Sequence, residues 1–158
     1  MHRVSSVVTL PALWTLGGAL VALAAAIAGD LLAVASIDRS LNSTYYIQSH
    51  ASFWLYVCAT FCFFAVWYDW FPRLSGIAYD RSAVLAHFCL TLLGASLLLL
   101  AQHFVGLAGL PRHYADWPEV FAFWMKVATI GNYALIASGA VFAISTVYAG
   151  IFSRSAAR

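Results

Sequence analysis

The stretch Ser43 to Trp54 reads STYYIQSHASFW, which sets an imidazole, His50, among aromatic and apolar neighbours, with a serine, Ser52, two positions on. A titratable group inside a membrane span is costly, and neutral imidazole is the cheapest such group and a good axial ligand for haem iron. From position alone, a histidine hydrogen-bonded to a neighbouring helix or to interfacial water is the commoner arrangement. His87 and His103 pose the same question further along the chain. Cys58, Cys62 and Cys89 lie in apolar runs; an odd number with no CxxC pair argues against a disulfide framework and against a zinc site, and they read as small apolar side chains.

The elements that must position these residues are membrane helices. Of 158 residues 63% are hydrophobic and 9% charged, with mean hydropathy +0.85, outside the range of water-soluble domains. A net charge of +2 offers no basic field, so nucleic acid is excluded as a partner. Four stretches can cross a hydrocarbon core of about 30 Å at about 1.5 Å per residue: 10–34, 46–71, 83–106 and 127–152. The expected fold is a single all-α, four-helix transmembrane domain over residues 1–158 and little else, with turn chemistry in the breaks after Val34, at Pro72 to Gly76, and from Gly106 to Pro118. A signal peptide over the first stretch is disfavoured because its apolar run is longer than a signal core. Arg3, Arg73, Arg81, Arg154 and Arg158 fall on one side, against Arg39, Arg112 and Lys126 on the other, which predicts cytoplasmic termini. Asp30 and Asp69 read as interfacial groups, and Asp116 and Glu119 as solvated loop charges.

Several stretches, in order, carry a resemblance. STYYIQSHASFW, then YDWFPRLSG, then QHFVGLAGLPR from Gln102 to Arg112, then a terminal apolar helix, are similar to the last third of subunit I of haem-copper oxidases of the cytochrome c oxidase type. The likeness runs from about Leu13 to the C-terminus. It implies that His50 matches the ligand of the high-spin haem. The family's second histidine, two positions on, is Ser52 here, and positions two apart on a helix lie about 200° apart. The resemblance thus implies that the low-spin haem site on the opposite face is lost, since a hydroxyl does not replace imidazole on iron. The magnesium-holding His-Asp pair is Asn42-Ser43, which offers only weak neutral oxygens. The propionate-contacting arginine pair is Arg112-His113. His87 and His103 match structural histidines. The copper ligands of the family come from helices preceding this region, so no copper or magnesium site is expected in this chain alone.

Three functions follow as expectations. The first is a non-catalytic accessory subunit of a respiratory haem-copper oxidase or related electron-transfer complex, in a bacterial inner membrane, partnered by other membrane subunits or by itself. The second is a split-oxidase fragment supplying His50 to the high-spin haem. The third is an independent b-type cytochrome in which His50 and His103 clamp one haem. A complete oxidase from this chain alone is not expected. No nucleophile-base constellation or phosphate loop supports a hydrolase or transferase.

Overall fold

The computed structural model describes residues 9–76, 79–112 and 116–156. Helix α1 covers Leu10–Asp30, with Pro11 in its first turn, where a missing N–H costs no hydrogen bond. A 3₁₀ turn over Leu31–Ala33 follows, so regular α-helix ends four residues before the expected Val34. The first break holds a short helix, α2, Ala35–Leu41, where only turn chemistry was expected; Asp38 in its first turn and Arg39 in its last complement the helix dipole.

The second span, Tyr45–Ser75, is composite. It opens as α3, Tyr45–Ser52, passes through a π-helical turn, Phe53–Val57, and continues as α4, Cys58–Ser75. Pro72 was expected to start the break but lies inside the last turn of α4, where it removes a single hydrogen bond; the helix stops instead at Gly76, whose φ of 70° suits a left-handed cap. The third span is α5, Arg81–Leu107, capped by the Asp80 carboxylate, which accepts from the Ala83 N–H at 2.8 Å. A 3₁₀ turn, Glu119–Phe121, leads into α6, Ala122–Ala156. Among the described residues four helices are thus long and apolar enough to cross a membrane, and the chain is an integral membrane protein of all-α class.

Packing is closest between α5 and α6, then between α1 and α4 and between α3 and α5. Two glycines explain the first. A β-carbon on Gly131 would lie 2.7 Å from the Leu98 nitrogen, and one on Gly94 would lie 2.8 Å from the Gly131 carbonyl oxygen, so the two backbones meet where neither helix carries a side chain. The core sits toward one end of the bundle, at the start of α1 and α5 and the end of α4. There Trp14, fully buried, is ringed by Phe61, Phe64, Tyr68, His87 and Phe88 with centroids 4.8–5.9 Å away. Leu16, Leu20, Leu23 and Ile27 on α1, and Ile130, Ile136, Ile144 and Ile151 on α6, face outward, as suits helices surrounded by lipid or further helices.

Candidate functional site

The candidate site forms at the opposite end, where α1 and α5 finish and α3 begins. Thr44 starts α3: its hydroxyl donates to the Leu41 carbonyl at 2.8 Å and accepts from the Tyr46 N–H at 3.2 Å, so a capping side chain replaces an absent intrahelical partner. The loop after α5 is tied to this start. Tyr45 N–H donates to Leu110 O at 3.0 Å, Arg112 N–H donates to Ser43 O at 2.9 Å, and Thr44 pairs with Pro111 as an antiparallel bridge. Gly106 permits the approach, since a β-carbon there would overlap the backbone of Tyr46.

Tyr46 and His50 are one turn apart on α3 and share a face. Tyr46 is 1% exposed; its hydroxyl donates to the Ala28 carbonyl at 2.7 Å and its ring meets the His103 ring edge-on at 5.1 Å. His50 lies beside the next residue of α1. A β-carbon on Gly29 would sit 3.0 Å from His50 Cε1 and 3.4 Å from Nε2, so glycine leaves the imidazole its room. The ring is half-buried, and its Nδ1 is buried without a hydrogen-bond partner among the described residues.

The other candidates separate from this pair. Arg112 is exposed, brought by its backbone to the mouth of α3. His113 lies outside the described residues. His103 Nδ1 shares a 2.7 Å hydrogen bond with the Leu99 carbonyl one turn back, and the ring forms part of the wall of an apolar crevice of about 430 Å³ between α1, α3 and α5. His87 is 1% exposed at the far end of the bundle, with Nδ1 2.8 Å from the Tyr68 hydroxyl and Phe142 stacked at 5.3 Å. Asp69 pairs with exposed Arg73 at 2.6 Å, one turn on along α4. The three cysteines are unpaired thiols.

This end of the bundle presents one candidate imidazole, His50. Among the described residues His50 has a buried Nδ1 without a hydrogen-bond partner and a glycine beside its ring, whereas His103 Nδ1 is bonded to Leu99 and its ring packs on Tyr46. Sequence reasoning had no signal for Tyr46 or Gly29, because both act through close approach between helices distant in sequence.

Comparison with known proteins gives concordant matches. The family model described as cytochrome c and quinol oxidase polypeptide I matches residues 1–134. The cytochrome c oxidase subunit 1 of Cereibacter sphaeroides is 38% identical over 128 residues, which covers 81% of this chain and 23% of that protein. The chain therefore spans about a quarter of the length of that relative.

Proposed function

The chain belongs to the cytochrome c and quinol oxidase polypeptide I family, and from that premise we propose that it serves as a non-catalytic membrane component of a respiratory haem-copper oxidase or related electron-transfer complex. One observation carries the reading: Ser52 stands two residues after His50, where the family pattern implied by the resemblance has a second histidine. A hydroxyl is a poor iron ligand, so this chain offers a single axial imidazole where the family pattern has two on opposite faces of the helix. The wide apolar faces of α1 and α6 supply the surface against which partner helices, or a second copy, pack. Arg73 and Arg81, with Arg154 by its place in the sequence, support a reading in which the Ser75 and Arg81 end of the bundle faces the cytoplasmic side of a bacterial inner membrane; Arg3 and Arg158, which support the same orientation, lie outside the described residues.

A second reading is favoured by the way His50 is seated. In a split arrangement, partner chains supply the remaining helices and His50 holds the high-spin haem, with Arg112 toward its propionates; the role the resemblance implies for His113 falls outside the described residues. Bound haem would supply oxygen binding and electron transfer; the chain's own part is to present one imidazole and one guanidinium at the same end of the bundle. The independent b-type cytochrome draws less support, because His103 is engaged by Leu99 and Tyr46.

The test is a reduced-minus-oxidised optical spectrum with pyridine haemochrome analysis on protein purified gently with its partners, for wild type and His50→Ala. The accessory reading predicts no haem signal, or a partner signal that the substitution leaves unchanged. A signal lost in His50→Ala makes His50 a ligand, and the partner content of the sample then separates the split arrangement from an independent cytochrome.

A further inference from the structure

We infer that Tyr46 is a positioning residue for His50: through Ala28 and Gly29 it fixes the edge of the imidazole that α3 can offer to a metal centre. The inference rests on the second reading above, the split arrangement in which His50 holds a haem in the assembled complex. Tyr46 is held at three points. Its backbone is pressed against Gly106 and capped by Thr44. Its ring abuts His103. Its hydroxyl reaches Ala28 O at 2.7 Å, among the terminal carbonyls that an α-helix leaves without their regular partners.

Rotation of α3 about its own axis would break the bond to Ala28 and carry His50, one turn on, away from Gly29. Since Ala28 and Gly29 are consecutive, the anchor and the imidazole seat move together with α1. The phenol therefore sets the rotation of α3, and glycine removes the one side-chain carbon that would push the ring aside at 3.0 Å. Ser49, fully buried between these two residues, bonds only to Tyr45 and Tyr46 carbonyls of its own helix and cannot share the role.

The experiment uses the full chain with any co-purifying partners in detergent micelles, labelled with ¹⁵N-histidine, the His50 ring signals being assigned by their loss in His50→Ala. Wild type is expected to give one narrow pair of His50 ring signals. Tyr46→Phe, which removes only the hydroxyl, and Gly29→Ala, which crowds the ring from the other side, are each expected to shift, broaden or double that pair while the His87 signals stay in place. Unchanged His50 signals in Tyr46→Phe would overturn the inference, whatever Gly29→Ala does. Hemin titration of the same samples supplies the second readout. Hemin absorbance that is abolished by His50→Ala and shifted by Tyr46→Phe supports the inference; the same absorbance indifferent to Tyr46→Phe overturns it. Failure of wild type to take up hemin through His50 removes the ligand reading instead, and the nitrogen signals then decide the positioning role alone.

Discussion

His87 and His50 occupy opposite ends of one bundle, and their surroundings differ in kind. Around His87 the neighbours form a closed aromatic and polar cluster, in which the Trp14 Nε1 is buried without a hydrogen-bond partner among the described residues while the His87 Nδ1 and carbonyl are engaged. Tyr68 meets the His87 Nδ1, while the His87 carbonyl accepts a bond from Thr91 at 2.8 Å and one from Ser138 at 3.0 Å, so α4, α5 and α6 are joined at one residue. Around His50 the polar atoms of the neighbours are engaged with each other, Tyr46 with Ala28 and Ser49 with its own helix, and the imidazole receives only space. In a medium without water to satisfy strays, the first pattern holds helices together and the second leaves an imidazole nitrogen without a hydrogen-bond partner among the described residues. The same residue type thus serves packing at one end and candidate chemistry at the other.

The sharpest way to break this contrast is to remove the centre of the packed end. Trp14→Ala deletes a fully buried indole touching five other rings and should cost about 3–5 kcal/mol, as large-to-small changes at buried aromatics do. His50→Ala should cost less than about 1 kcal/mol, since no hydrogen bond to its ring is lost. Unfolding in mixed micelles followed by circular dichroism checks both. Equal losses would erase the distinction between the ends.

Tyr68→Phe tests the His87 side at atomic scale. The ring and its stacking survive, but His87 Nδ1 is left buried without its 2.8 Å partner. An unsatisfied buried nitrogen costs about 1–3 kcal/mol, and the same unfolding measurement should show a loss in that range. A loss near zero would mean that the aromatic cage, and not the polar contact, holds His87.

Most of the architecture could be read from the sequence because membrane crossing is a matter of length and apolarity, which are local. The four spans follow from that, and the family from the order of STYYIQSHASFW and QHFVGLAGLPR. Helix ends were less legible. Pro72 reads as a breaker, but a proline in a final turn removes only its own N–H, and α4 continues to Ser75. Residues 35–41 read as turn because their polar side chains suit loops, yet Asp38 and Arg39 also suit the two ends of a short helix. In the candidate site, His50 was visible by residue type and motif. Tyr46, Gly29 and Gly106 were not, because the reason for each is a contact with a helix tens of residues away. The structural character of His87 followed from the resemblance, but its partner Tyr68 follows only from the fold.

Two buried hydroxyls give the smallest and most discriminating test of the contrast. Ser138 on α6 lies 2.6 Å from the Thr91 hydroxyl and donates to the His87 carbonyl on α5, so Ser138→Ala removes polar contacts between helices. Such bonds in membranes average about 0.6 kcal/mol and reach about 1.7. Thr91 keeps its own bond to the His87 carbonyl, so the carbonyl stays satisfied and the loss should fall near the average. Ser49→Ala, although equally deep in the structure, removes only bonds to Tyr45 and Tyr46 carbonyls within the same helix. Those carbonyls retain the regular N–H partners of α3, so the substitution should change stability by only a few tenths of a kcal/mol, in the direction of a better helix former. Measured side by side, a loss for Ser138→Ala alone means that polar contacts join helices at the His87 end and merely line one helix beside His50. Equal losses would mean that Ser49 bonds outside its own helix once the partner chains are in place, which would make the His50 end part of an interface.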